Sequence, residues 1–271
     1  MNILIEKNIM VPMHDGVQLA TDVYRPAGDG RYPVIIQRLP YNKDLPAITM
    51  LLFDIFRLVQ QGYAMLIQDT RGRFASEGEF HPFFQEPADG IDTIAWAASA
   101  PWSNGKVGLA GGSYFGATQW LAARETPEAL LATVPVITSA DYYESWTYQG
   151  GAFQLGFILM WTLGFALGEQ QRRLKTGQTT MEDLGKTLQA YGNMPALYSR
   201  LPLLDMPVLQ EVAPPPRSLK PGTVSGWRSP APTSRASIAT PTQEERFRRK
   251  RKRTSCRRST ASITTVRTPR I

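Results

Sequence analysis

The 271-residue chain has one cysteine, Cys256, and two histidines, His14 and His81. A single thiol excludes a disulfide framework and any zinc site built on several cysteines. Two histidines argue against a multi-histidine metal centre and leave few side chains able to act as a general base near neutral pH. Long apolar runs are also scarce. The longest, residues 153–167, is shorter than the 18 or more residues that suggest a membrane span, so it reads as a buried or cap-type helix. Residues 1–16 are too interrupted by charge to supply the apolar region of a signal peptide. The cytoplasm is the compartment these absences predict, with no membrane partner.

Charge is plentiful but unevenly placed. The net charge of +7 averages an acidic body and a basic tail: residues 1–213 hold 15 Lys+Arg against 21 Asp+Glu, and residues 214–271 hold 15 against 2. The tail also contains 8 Pro and 17 Ser+Thr and no run of large apolar residues. Such a composition buries too little surface to offset its ordering entropy, and disorder is expected. Its densest cluster, Arg248-Arg249-Lys250-Arg251-Lys252-Arg253, has the charge to bind phosphates. Only Phe247 stands beside it, so base stacking has no support and no specific nucleic-acid partner is expected. A polyanion-binding tail and a solvated or accidental segment are the two readings.

The body reads as an alternation of strands and helices. Two β-like runs, 3–11 and 18–24, flank His14-Asp15-Gly16, a hairpin turn signal. After a loop over 25–33, short apolar runs at 34–36, 64–67, 107–110 and 134–137 predict buried strands. Apolar residues at helical spacing predict helices over 48–61, 87–100 and 114–125 between them. Short connections in this order imply a mostly parallel sheet with crossover helices, an α/β fold, with the opening hairpin adding antiparallel strands at one edge. Residues 141–200 are aromatic and helical in character, with helices predicted over 180–191 and 193–201 and no clear strand. Three regions follow: 1–140 as the N-terminal part of the α/β core, 141–213 as a helical cap segment, and 214–271 as the tail.

The sharpest chemical signal is Val107-Gly108-Leu109-Ala110-Gly111-Gly112-Ser113-Tyr114-Phe115-Gly116. A short apolar run enters a Gly-rich turn carrying a serine, and a helical stretch follows. That is the strand–turn–helix context of a nucleophile elbow. The turn strains the serine backbone, so its neighbours are small, and the helix N-terminus favours a developing oxyanion. The spacing departs from G-x-S-x-G: Phe115 stands where the second glycine belongs, and Gly116 comes one later. A Gly-rich turn that only packs a helix against a strand is the plainer alternative.

Other stretches extend the pattern. They are Val11-Pro12-Met13-His14-Asp15-Gly16-Val17 with Tyr24-Arg25-Pro26, then Pro40-Tyr41, then Gln68-Asp69-Thr70-Arg71-Gly72 with Ser76-Glu77-Gly78-Glu79-Phe80, then Trp102-Ser103-Asn104-Gly105-Lys106. In order and spacing, residues 1–213 resemble the CocE/NonD-type serine hydrolases, the cocaine-esterase and X-prolyl dipeptidyl-peptidase group of α/β-hydrolases. That family's elbow carries the same displaced glycine. The resemblance implies Ser113 as the nucleophile, the backbone N–H of Tyr114 as one oxyanion donor, and the Tyr41 hydroxyl as the second. It implies hydrolysis of an acyl ester or amide through a Ser113 acyl-enzyme, with a small-molecule ester or an X-Pro peptide as substrate. No metal or cofactor is implied, since a serine mechanism needs neither. Asp69 is not the family's triad acid and is expected to bind Arg71 or loop amides. His14, in a hairpin turn, and His81, in a loop, are poor candidates for the triad base.

The family's triad acid, in a Gly-Trp-Tyr-Asp context, and its histidine, in a Trp-Ser-His context, have no counterparts in this chain. Gly226-Trp227 is followed by Arg228-Ser229, and no histidine follows His81. The match fades near Pro214, and the Arg/Pro/Ser/Thr-rich remainder has the composition of GC-rich DNA read out of frame. A frameshifted or truncated product, inactive alone and with an incompletely covered sheet, is therefore expected. Nothing in the sequence sets the oligomeric state.

Overall fold

The computed structural model describes residues 2–200 together with 203, 206 and 209. They belong to one compact unit. The expectation of disorder over 214–271 lies outside the described residues.

Six strands form one sheet: β1 (Ile3–Pro12), β2 (Gln18–Pro26), β3 (Tyr32–Leu39), β4 (Ala64–Asp69), β5 (Ser103–Gly112) and β6 (Leu130–Val136). Their spatial order is β1-β2-β4-β3-β5-β6. β1 pairs antiparallel with β2, and β2 antiparallel with β4. The β4–β3, β3–β5 and β5–β6 pairs are parallel. The α/β architecture with an antiparallel edge is thus the observed one. The hairpin turns where Gly16, at φ 86°, lets its N–H donate to the Met13 carbonyl at 2.9 Å.

α3 (Glu86–Ser99) and α4 (Tyr114–Ala123) cover one face. There Val34, Ile36, Leu66, Val107 and Leu109 of the strands pack with Ile94 and Ala97 of α3 and Ala122 of α4. On the other face Met65 and Ile67 pack with Ile55 and Val59. Those two residues belong to α2 (Ile55–Gln60), which is separated from α1 (Pro46–Thr49) by irregular backbone. The single helix predicted over 48–61 is therefore interrupted. Asp54 ends the irregular stretch by capping α2, its Oδ1 accepting from the Arg57 N–H at 3.0 Å. A short polar side chain that bonds nearby backbone favours such a break over continued helix.

Beyond β6 the chain forms a π-helical turn (Tyr143–Thr147), a small ribbon of β7 (Tyr148–Gln149) and β8 (Ala152–Phe153), and three helices: α5 (Leu155–Lys175), α6 (Met181–Gly192) and α7 (Met194–Tyr198). The ribbon corrects the expectation that this region has no strand. It turns on Gly150 and Gly151, both at positive φ, and two residues per strand are too few for alternation to show in sequence. The apolar run 153–167 is absorbed into α5. No helix among the described residues is long and apolar enough to cross a membrane. Among the described residues β6 pairs on one side only, with β5. Leu131 within β6 is 65% exposed and Ile137, just after it, 82%.

Candidate active site

The three parallel strands β3, β4 and β5 end at the same edge of the sheet, where α/β folds place their ligands. β3 leads into Pro40 and Tyr41, β4 ends on Asp69, and β5 leads into Ser113. The topology therefore gathers what lies 28 and 44 residues apart along the chain.

Ser113 sits between β5 and α4 with φ 55° and ψ −123°. A non-glycine residue in this region is strained and is held only by its surroundings. Its N–H donates to the Val136 carbonyl at 2.8 Å, and its carbonyl accepts from Gly116 and Ala117 at 2.9 and 3.1 Å. The displaced glycine has a packing cause. A Cβ on Gly116 would lie 2.6 Å from Cγ2 of Thr138, on the chain that leaves β6. Phe115 instead has room for a buried ring, which meets the Tyr41 ring edge-on at 5.9 Å.

Tyr41 and Ser113 come together. The Tyr41 hydroxyl has the Ser113 side chain as one hydrogen-bonding neighbour and accepts from Nε1 of Trp161 at 3.0 Å. Burial pushes its ionisation above the usual phenol value, against the pull of Trp161, Ser113 and the positive charge of Arg73. The Phe165 ring, on α5, stacks on Tyr41 with centroids 5.6 Å apart and planes 6° from parallel.

The Tyr114 side chain turns into the core. Its hydroxyl donates to Glu86 Oε1 at 3.0 Å and accepts from the Phe83 N–H at 2.9 Å. Burial, joined by the Glu86 charge, raises its ionisation well above normal. Glu86 is itself raised by burial, although Arg38 pairs with it at 2.8 Å. As the first residue of α4, Tyr114 has a backbone N–H with no intrahelical partner.

The remaining polar residues sort themselves by partner. Asp69 takes loop amides, its carboxylate accepting from Lys43 at 2.8 Å and Ala75 at 3.3 Å. Burial pushes it up to about 6. Arg71 does not go to Asp69; it donates to Asp89 at 3.0 Å and to Asp15 at 2.7 Å. His14 pairs with Asp92 at 2.7 Å and is exposed, and His81 lies 3.6 Å from Glu79, also exposed. Neither imidazole is a partner of the Ser113 hydroxyl. Among the described residues no three His, Cys, Asp or Glu side chains form a group able to hold a metal.

Sequence reasoning missed the aromatic wall. Phe83 stacks on Tyr114 and Tyr142, with centroids 4.9 and 4.4 Å apart, and Trp146 of the π-helical turn and Trp161 and Phe165 of α5 continue it. The aromatic density of 141–165 is the available signal, but only the packing of α5 and the π-helical turn against Tyr41, Phe83 and Tyr114 shows which rings meet.

A mostly parallel sheet of this order, with a strained serine between its strand β5 and the covering helix α4, is an α/β-hydrolase-type fold. The sequence profile of the X-Pro dipeptidyl-peptidase (S15) family matches residues 15–206. The chain is 39% identical over 215 residues to cocaine esterase of Rhodococcus sp. (strain MB1 Bresler), an alignment covering 79% of this chain and 38% of that protein. A crystal structure of a CocE/NonD family hydrolase from Staphylococcus aureus superposes with a TM-score of 0.57 at 29% identity, covering 66% of this chain and 36% of the other. An α-amino acid ester hydrolase superposes with a TM-score of 0.50 at 30% identity, covering 57% and 29%. The chain belongs to the S15, CocE/NonD-type family of hydrolases. It spans about two fifths or less of the length of these three relatives.

Proposed function

We propose that this chain carries the nucleophile and oxyanion hole of a serine acyl hydrolase. Ser113 Oγ would attack the carbonyl carbon of an ester, or of an amide, as its proton passes to a base. The carbonyl π electrons move onto oxygen, and the Tyr41 hydroxyl and the Tyr114 N–H donate to that oxyanion. Collapse expels the alcohol or amine, and water then releases the acyl group from Ser113. The observation that carries this reading is the strained Ser113 at the strand–helix turn with the Tyr41 hydroxyl beside it. Small acyl esters are the first substrate class. Removal of N-terminal X-Pro dipeptides is the second, favoured by the family profile.

The chain has two histidines, and both have carboxylate partners away from Ser113. We infer that the 271-residue chain by itself lacks the triad acid and base and is slow. Losing triad members costs about 10⁴–10⁶ in rate, while the oxyanion hole and binding leave about 10³–10⁴ over water. The test is hydrolysis of p-nitrophenyl acetate and of Ala-Pro-p-nitroanilide by the chain and by Ser113→Ala. Turnover close to background and little changed by the substitution is expected. Turnover near ~1 s⁻¹, an ordinary enzymatic value, that Ser113→Ala abolishes would mean that a base is present. The basic segment 214–271 supports a reading of a different class, polyanion binding. Heparin affinity that falls steeply with salt would support it, and affinity unchanged by salt would oppose it.

A further inference from the structure

Arg73 is an unusual cation. It is 3% exposed, and among the described residues no carboxylate lies within ion-pair distance of it. Burial pulls its ionisation down to about 10, with Glu169 and Asp69 opposing at longer range, so it stays charged at neutral pH. Its guanidinium lies 5.0, 5.1 and 5.3 Å from the ring centroids of Phe74, Phe80 and Phe165. Rings at this distance compensate part of a buried charge.

Its hydrogen bonds span two parts of the molecule. Nε donates at 3.0 Å to the carbonyl of Pro40, the peptide that precedes Tyr41. Nη1 donates at 3.4 Å to the carbonyl of Phe165, within α5. The helix makes room for this contact. Gly168 is interior to α5, where glycine costs stability, and a Cβ there would run into Nη2 of Arg73. From the same helix, Trp161 donates to the Tyr41 hydroxyl and Phe165 stacks on the Tyr41 ring.

We propose that Arg73 is a positioning residue that locks α5 to the Tyr41 loop, so that docking of the cap fixes where the Tyr41 hydroxyl points over Ser113. The inference rests on the oxyanion role assigned to Tyr41 above. It explains why an arginine is buried here with two carbonyls and three rings around it. The fork reaches both carbonyls at once, which a single ammonium point charge does not do with the same geometry.

The test uses phenylboronic acid on the full chain. Boron accepts the Ser113 oxygen, the O–H bond breaks, the proton leaves to buffer, and a tetrahedral boronate anion remains that resembles the oxyanion intermediate. Boron-11 NMR reads its affinity. Ser113→Ala abolishes the adduct and Tyr41→Phe weakens it about 100-fold if the underlying reading is right, as for loss of one oxyanion donor. Arg73→Met, and independently Gly168→Ala, which displaces the guanidinium while favouring the helix, each weaken it about tenfold. The Arg73→Met/Tyr41→Phe double variant is no weaker than Tyr41→Phe alone, because both act through one hydroxyl. Hydrogen exchange by mass spectrometry rises in Arg73→Met over 38–45 and 155–175 together and not over α3. Multiplying effects in the double variant, or unchanged exchange in those two segments, overturn the inference and leave the reading of Tyr41 standing. An adduct unaffected by Tyr41→Phe overturns the reading of Tyr41 itself.

Discussion

Trp161 on α5 and Tyr41 in the loop after β3 meet through one hydrogen bond, indole Nε1 to phenol oxygen, at 3.0 Å. Because the phenol oxygen accepts there, its own proton remains available to donate to another acceptor. Trp161→Phe keeps most of the ring and removes the donor. Thermal melts should show a loss of about 0.5–1.5 kcal/mol, the usual net value of one hydrogen bond. The Tyr41 phenol, which this bond holds down, should also titrate higher. A phenol titration unchanged by the substitution would contradict the geometry.

Glu86 and Tyr114 give a second expectation. Glu86 is held by Arg38 at 2.8 Å and Tyr114 at 3.0 Å, and all three side chains are buried. Glu86→Gln leaves Arg38 without its nearest anion, and breaking a buried pair costs about 3–5 kcal/mol. Tyr114→Phe keeps the pair and orphans only one carboxylate oxygen and the Phe83 N–H, so about 1–3 kcal/mol is expected. Urea unfolding of the two variants should preserve that order.

Asp69 sets a pH dependence. Its carboxyl is raised to about 6 in the folded chain, against about 3.9 for an unperturbed aspartate. The folded state therefore holds this proton where the unfolded state has released it. Stability from this group is fully present below about pH 4 and is lost as pH rises to about 6, by about 3 kcal/mol at most. Asp69→Asn should flatten that segment of the stability–pH curve. A curve that keeps the same slope over this range would show that Asp69 is not its source.

Burial separates two apolar positions of similar size. Leu163, on α5, is 0% exposed and packs with Leu159 and Met206, whereas Ile137 is 82% exposed. Leu163→Ala should cost about 2–5 kcal/mol, and Ile137→Ser within about 0.5 kcal/mol. Ile137→Ser combined with Leu131→Ser should lower binding of a hydrophobic dye without lowering stability, since both side chains are exposed and apolar.

Local sequence carried the elements and the elbow. Short apolar runs between turn residues fix strands such as 34–36 and 64–67, and a Gly-Gly-Ser turn between a strand and a helix fixes Ser113 at a strained φ. These depend on neighbours a few residues apart, so they are legible without the fold. Tyr41 was legible only through family resemblance, since an aromatic in a loop carries no local mark of its role. Arg73, Trp161, Phe165 and Glu86 were not legible, because their partners lie tens of residues away. Arg73 reaches Phe165 across 92 positions and Trp161 reaches Tyr41 across 120. The break at 50–54 and the ribbon at 148–153 were decided by a capping carboxylate and two glycines too local for helical or strand periodicity to register. The amino-acid order determined which pieces form. The parallel sheet, by ending β3, β4 and β5 at one edge beneath α5, decided which side chains meet.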